Sequence, residues 1–434
     1  MKKKLIENIR NRKSKIGVIG LGYVGLPLAL RFVESGFKVF GFDIDISKVI
    51  KLKKNESYID GIASSQILKL RKKKVFRASN DFSFCSQMDA LIICVPTPLK
   101  NRKPDLSYIL DTMDTLSPYF RKGQILSLES TTYPGTTDEE LYPRLKKLGF
   151  NIGTNFFLTF SPEREDPGNL KYNTKNIPKV VGGYTNNCLK VGVELYNSCI
   201  DKIIPVSSTK VAEMSKLLEN IYRSVNVGLI NEIKIVSDKM NIDIHEVIKA
   251  ASTKPFGFAP FYPGPGLGGH CIPIDPFYFT WKAKQHGVKT RFIQLSGIIN
   301  SSMPKWILNK IIINLKNRGL NLKKSKVLVL GIAFKKNVSD TRESPGAKLI
   351  SLLKKKFIKV EYSDPYIPVF PKMKKYNYNL KSVKINQNNL KKFDLVLIVT
   401  DHSKFNFSLI KKHAKCIIDT RGVYQGNYRH IIKA

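Results

Sequence analysis

A chain of 434 residues is longer than one ordinary core organises, so two or three domains are expected. Its 42% hydrophobic and 25% charged residues exclude a disordered chain, and no apolar run reaches the roughly 18 residues that span a bilayer. The formal charge of +39 invites a nucleic-acid reading, but zinc-finger spacing, RNP-type aromatics and an arginine-rich arm are all missing.

The lysines are instead scattered, as in Lys72-Lys73-Lys74 and Lys354-Lys355-Lys356. We read them as a solvated surface that steers anionic substrates, with no nucleic-acid partner. The N-terminus, Met1-Lys2-Lys3-Lys4, is basic without a following apolar segment, so no secretory signal is expected. Six cysteines (85, 94, 188, 199, 271 and 416) form no CxxC pair and no disulfide-like framework. That usage predicts free thiols in a reducing cytoplasm; no metal site is expected, and the lack of a long apolar run predicts no membrane partner.

From residue 15 to about 205, apolar runs at 16–19, 39–42, 91–95, 125–128 and 158–160 alternate with helical patterns. Such alternation predicts a doubly wound parallel sheet. The first run leads into Gly20-Leu21-Gly22-Tyr23-Val24-Gly25 and a helix beginning Leu26-Pro27-Leu28-Ala29. In this spacing the first glycine makes the tight turn and the second lets a pyrophosphate approach the backbone. The third packs helix on strand, and the helix N-terminus faces the phosphates. Asp43 closes the second run, where a carboxylate binds ribose hydroxyls and repels a 2′-phosphate. Gly20, Gly22, Tyr23, Val24, Gly25 and Asp43 therefore predict an NAD site rather than an NADP site.

Cys94-Val95-Pro96-Thr97-Pro98 and Ser130-Thr131-Thr132-Tyr133-Pro134-Gly135 follow two further strands, at the carboxyl ends where open sheets place ligands. Pro96, Thr97, Ser130 and Thr131 are candidates to line the cofactor, and the hydroxyl cluster could hold a water. Alone, that cluster reads equally well as an N-cap ahead of Asp138-Glu139-Glu140. Glu163 follows the run at 158–160, in a charged loop that is either catalytic or plain surface.

A long amphipathic helix is predicted over 208–239, with Val211, Met214, Leu217, Leu218, Ile221, Val225 and Leu229 at helical spacing. Lys216 and Asn220 stand one turn apart on it, a pair that by itself reads as solvated surface. Then comes Gly264-Pro265-Gly266-Leu267-Gly268-Gly269-His270-Cys271-Ile272-Pro273-Ile274-Asp275-Pro276. Glycines this dense lose much backbone freedom on folding and suit a loop that approaches a ligand closely. Cys271 emerging from it reads as a positioned nucleophile, and Asp275 as its carboxylate neighbour or a turn residue.

The helical pattern over 293–317 is interrupted at Pro304, predicting a kink or a new start. A second α/β unit begins near Lys324, with runs at 327–331, 360–365, 394–400 and 416–419, although Gly331-Ile332-Ala333-Phe334 lacks the GxGxxG spacing. In its loops Lys335 and Arg342 are candidate anion partners, Arg being able to bind in bidentate fashion. The expected architecture is two Rossmann-like doubly wound parallel-sheet domains, 1–205 and 319–434, joined by a helical region, 206–318.

From the glycine turn at residue 20 through Asp340-Thr341-Arg342-Glu343-Ser344-Pro345, the chain resembles the UDP-glucose/GDP-mannose dehydrogenase family. The resemblance implies an NAD-binding domain, a helical dimerisation region and a nucleotide-sugar domain. It also implies oxidation of a nucleotide sugar's C6 hydroxyl to a carboxylate with two NAD. By the same resemblance Cys271 is the nucleophile, with Lys216, Asn220, Asp275, Glu163 and Thr132 in the catalytic cluster. Arg164, Phe261 and Gly268 join Lys335 and Arg342 in holding a UDP-sugar.

Ser161-Pro162-Glu163-Arg164-Glu165-Asp166, Lys254-Pro255-Phe256-Gly257-Phe258 and Phe261-Tyr262-Pro263-Gly264 are most similar to the bacterial UDP-N-acetylglucosamine 6-dehydrogenase branch. UDP-glucose enzymes usually carry Arg-Ile-Gly where Pro255-Phe256-Gly257 stands, and Pro167 replaces a glutamate found in some of them. The resemblance implies a homodimer or higher homo-oligomer, serving capsule or lipopolysaccharide O-antigen synthesis. Two other readings remain at this point. The cofactor motif alone fits a hydroxyacid or 6-phosphogluconate-type dehydrogenase, which needs no thiol. A non-catalytic nucleotide-sugar-binding homologue is the other.

Overall fold

The computed structural model describes residues 1–434 except 60, 73, 101, 102, 167, 168, 170, 270, 271 and 374. The first strand, β1 (Lys15–Ile19), is buried over four consecutive residues, the mark of a strand covered on both faces. It belongs to one of two compact units: Met1–Glu219 with Phe277–Val288, and Asn220–Pro276 with Lys289–Ala434.

In the first unit the strands after β1 are β2 (Lys38–Phe42), β3 (Phe76–Ser79) and β4 (Ala90–Ile93). A short antiparallel pair follows, β5 (Leu99–Lys100) and β6 (Lys103–Pro104). Next come β7 (Ile125–Leu128), β8 (Phe157–Phe160), β9 (Lys179–Gly183) and β10 (Ile203–Val206). The main sheet runs β10-β9-β8-β7-β4-β1-β2-β3, so its order reverses between β1 and β4. Open α/β sheets bind ligands at such a reversal. Pairing is parallel except at β8–β9, where Thr159 opposes Gly183 and Phe160 opposes Gly182 antiparallel. The doubly wound sheet is thus mixed at that one place, where the chain re-enters from the loop after β8 without a crossover helix.

The second unit holds β11 (Lys326–Leu330), β12 (Lys359–Ser363), β13 (Leu395–Ile398), β14 (Ile417–Asp419) and β15 (Ile431–Lys433). Their order is β12-β11-β13-β14-β15, parallel throughout, with its own reversal between β11 and β13. Strands β3, β5, β6, β9, β10 and β15 were not among the expected runs. Two of them are masked by composition: β9 begins on a lysine and ends on two glycines, and β15 is three residues long.

Both units build their first turn the same way. Gly20 and Gly331 have φ of +91° and +80°. Gly20 N donates to Phe42 O at 2.7 Å, and Gly331 N to Ser363 O at 2.8 Å. The carboxylate beyond the second strand then collects the next backbone N–H: Leu21 N to Asp43 and Ile332 N to Asp364, each 2.8 Å. Helix and strand are packed backbone to backbone, since a Cβ on Gly25 would lie 1.9 Å from Gly20 O and one on Gly346 2.8 Å from Gly331 O.

The helix Thr209–Lys239 forms as expected. The helix Arg291–Asn317, by contrast, runs through Pro304 without a new start. Pro304 is buried there, and a Cβ on Gly266 would come within 3.3 Å of its ring. Tertiary packing overrides the local penalty. No described helix is long and apolar enough to cross a membrane.

The two glycines of the first turn should separate packing from binding. Gly25→Ala is expected to destabilise by about 1–3 kcal/mol through overpacking, read from the urea midpoint. Gly22→Ala should leave that midpoint unchanged, because a Cβ there meets nothing within 4 Å.

Candidate active site

At the sheet reversal of the first unit lies a cleft of about 390 Å³, walled by Gly20, Gly22, Asp43, Lys48, Val95 and Pro96. That volume falls in the range of small-molecule sites. The open space at Gly22 fits a pyrophosphate approaching the backbone, so the residues present suit NAD. Asp43 is buried and fully engaged: it accepts from Leu21 N, from Asp45 N at 2.9 Å and from Lys48 Nζ at 2.9 Å. The carboxylate therefore shapes the glycine turn as well as facing the cleft. Tyr23 is 42% exposed, and Val24 directly precedes the helix Gly25–Glu34.

The loops after β4 and β7 are stitched together. Thr97 Oγ1 donates to Thr131 O and Ser130 Oγ to Val95 O, each at 2.7 Å. Thr132 is 1% exposed, and its hydroxyl has no hydrogen-bond partner among the described residues. A buried hydroxyl left in this way suits a water or a ligand. No threonine caps the following segment, a π-helical turn over Thr137–Leu141. Glu213 of the long helix holds the loop instead, accepting from Gly135 N at 2.5 Å, Thr137 N at 2.9 Å and Thr137 Oγ1 at 2.7 Å.

Behind these loops is an ionic cluster that sequence reasoning missed. Glu129, 1% exposed, accepts from Lys179 Nζ at 2.9 Å and Tyr196 Oη at 2.6 Å. The Lys179 ammonium is also 3.8 Å from Glu163. Glu163 Oε1 accepts from the N–H groups of Arg164 and Glu165, both at 2.6 Å, which fixes the carboxylate. Arg164 is bound within its own unit, to Glu219 at 2.8 Å and Pro178 O at 2.8 Å. Burial, with Glu163 beside it, pushes the Glu165 carboxyl up to about 8.

In the second unit Asn220 and Asp275 come together, both buried, with Asn220 Nδ2 donating to Asp275 Oδ2 at 2.5 Å. Lys216, one turn earlier on the same helix, is 9% exposed and has no hydrogen bond or ion pair among the described residues. The surface reading of Lys216 and Asn220 is thereby excluded. The glycine loop earns its composition: a Cβ on Gly268 would strike Phe334 Cβ at 2.7 Å and Pro345 Cδ at 2.9 Å, and Gly269 N donates to Arg342 O at 2.9 Å. Cys271 lies outside the described residues.

Burial pushes the thiols of Cys85 and Cys199 up to about 12 and that of Cys94 well above its usual range, so these three are not thiolates. Arg342 is exposed, with its guanidinium held by Asp340 at 2.6 Å, and Lys335 is half-buried. Phe261 packs edge-to-face on Tyr222, ring centroids 5.5 Å apart. Arg421 was also missed; it follows β14 and would clash at 2.9 Å with a Cβ on Gly264.

A glycine turn with an acidic strand end at a sheet reversal defines a dinucleotide-binding α/β enzyme. The NAD binding domain of the UDP-glucose/GDP-mannose dehydrogenase family matches residues 14–200, its central domain 210–302 and its UDP binding domain 328–426. The chain belongs to this family and is an NAD-dependent UDP-sugar dehydrogenase. Protein CapL of Staphylococcus aureus is 36% identical over 416 residues, 94% of this chain and 96% of the relative. UDP-N-acetyl-D-mannosamine dehydrogenase of Methanococcus vannielii is 34% identical, over 96% of this chain and 95% of the relative. UDP-N-acetyl-D-glucosamine 6-dehydrogenase of Salmonella typhi is 32% identical, over 90% of each chain. Among solved structures, the UDP-N-acetyl-mannosamine dehydrogenase Cap5O from Staphylococcus aureus superposes with a TM-score of 0.82 at 32% identity, covering 96% of this chain and 97% of Cap5O.

Glu165 gives the site a pH signature. Its folded pKa lies above the unfolded carboxyl value, so the stability it contributes is complete below that unfolded value. That contribution is lost as pH rises through about 8. Urea midpoints should fall between about pH 5 and about pH 9 more steeply for the parent than for Glu165→Gln. Equal falls would contradict the burial of this carboxyl.

Proposed function

We propose that the chain oxidises the C6 hydroxyl of UDP-N-acetylglucosamine to the carboxylate, UDP-N-acetylglucosaminuronate. The observation that carries the catalytic part is the buried Asn220–Asp275 bond, one helical turn from a buried Lys216 that has no partner among the described residues. Two NAD molecules in turn, held at Gly20, Gly22, Gly25 and Asp43, would supply the hydride acceptor, one for each oxidation stage. The rest is the work of side chains. As a general base takes the C6 hydroxyl proton, the Lys216 ammonium stabilises the oxyanion developing there, and Asn220, oriented by Asp275, hydrogen-bonds to it.

Cys271 adds to the aldehyde as a thiohemiacetal, the form from which a second hydride can leave to give a thioester. Water releases the acid, a step to which we assign Asp275 and Thr132, whose hydroxyl has no hydrogen-bond partner among the described residues; Glu163 is a further catalytic carboxylate. Lys335 and Arg342 bind the diphosphate, with Arg164, Phe261 and Gly268 around the sugar. In this reading 1–205 is the NAD-binding domain, 206–318 the helical region and 319–434 the UDP-binding domain. Its place is the cytoplasm, in surface polysaccharide synthesis.

The N-acetyl group is supported by two named relatives, the Salmonella typhi and Methanococcus vannielii dehydrogenases. The second of these names, with Cap5O, favours UDP-N-acetylmannosamine as the alternative substrate. For the oligomer, Tyr222, Leu229, Ile233, Val236 and Met240 leave an exposed apolar stripe on the long helix, which suits a homodimer.

Parallel assays should give UDP-N-acetylglucosamine a kcat/KM at least tenfold above UDP-N-acetylmannosamine and UDP-glucose, about 1.4 kcal/mol. The reverse order would move the assignment to the mannose epimer. Cys271→Ala should keep NAD binding and form little acid; full acid production would remove the thiol from the mechanism. Leu229→Glu with Val236→Glu should halve the mass seen by light scattering, and an unchanged mass would place the interface elsewhere.

A further inference from the structure

A cavity of about 660 Å³ in the second unit serves none of the chemistry above. Its walls are the end of the long helix (Lys234, Asp238), the following turn (Asn241, Ile242, Asp243), Lys310, and the chain's last segment (residues 426–433). Four cationic side chains, Lys234, Lys310, Arg429 and Lys433, face two carboxylates. Both carboxylates are taken: Asp238 pairs with Lys310, and Asp243 with Lys433. The third carboxylate nearby, Asp419, accepts from Arg421 N at 2.9 Å and Tyr424 N at 3.0 Å.

That leaves Lys234. It is 2% exposed, and among the described residues it makes no hydrogen bond or ion pair, although it lines the cavity. A buried ammonium without a partner is costly unless a ligand supplies the counter-charge. Burial and the neighbouring Lys310 push its pKa down to about 8, the strain expected of an excess cation. The exposed Arg429 at the mouth likewise has no carboxylate partner among the described residues.

We propose that this cavity is a second anion site, holding a phosphate group, free or on a small metabolite, between Lys234, Lys433 and Arg429. Two unmatched cations balance one phosphate dianion, and the volume admits more than the bare ion. Bound there, the group would tie the end of the helix that carries Asn220 to the strand β15.

Titration calorimetry on the full chain, with UDP and NAD saturating their own sites, tests this. Inorganic phosphate and glucose 6-phosphate are titrated separately. One saturable site for either probe is expected, and the tighter probe identifies the source of the phosphate. Lys234→Met should weaken it at least tenfold, about 1.4 kcal/mol, and Arg429→Gln about threefold. Without phosphate, Lys234→Met should melt no lower than the parent, because an uncompensated charge has been removed. Absence of saturable binding, unchanged affinity in both variants, or a marked loss of melting temperature in phosphate-free Lys234→Met would overturn the proposal.

Discussion

The carboxylate that gathers the backbone N–H after the first strand is the constraint on which both units rest. Asp43 and Asp364 do this in the same geometry, each beside a glycine with φ near +80 to +90°. A side chain at Gly20 would meet Cys94 O at 2.7 Å, and one at Gly331 would meet Thr400 Cβ at 2.4 Å. The turn can therefore only be made by glycine, and only with the following helix pressed against the strand. Once it is made in the first unit, the carboxyl ends of the strands on either side of the reversal face one cleft.

Buried polar groups do the finer positioning. Glu213 fixes the loop that carries Thr132, and the Glu129–Lys179 pair stands behind Glu163. Such pairs contribute little net stability, but removing one partner strands a charge at about 3–5 kcal/mol. They are better understood as devices that hold loops in one conformation. In the glycine loop of the second unit bulk does the same work: Phe334 and Pro345 leave room for nothing larger than glycine at Gly268. That explains a composition otherwise unfavourable for folding.

Features set by local chemistry were legible in the sequence. Glycine spacing, Asp43 at a strand end and the extent of the long helix depend on neighbours a few residues away, and each appears where expected, although Val211, Leu218 and Leu229 of the helix's apolar pattern are exposed. Features set by distant partners were not. Glu129 and Lys179 are 50 residues apart and Lys179 looks like one more surface lysine in a chain of charge +39. The antiparallel entry of β9 depends on how the preceding loop returns, which no periodicity encodes. No new helix starts at Pro304, because its local penalty is real but smaller than the packing around it. For Lys216 and Asn220 the helix position was readable, whereas their burial was not.

The central claim is that one chain carries its substrate through two oxidations, with a thiol making the second possible. Counting the NADH formed per molecule of limiting UDP-N-acetylglucosamine tests it most directly. About two NADH for each sugar is the predicted result, one for each hydride removed. About one would show that the reaction ends at the aldehyde, and the covalent role assigned to Cys271 would fall.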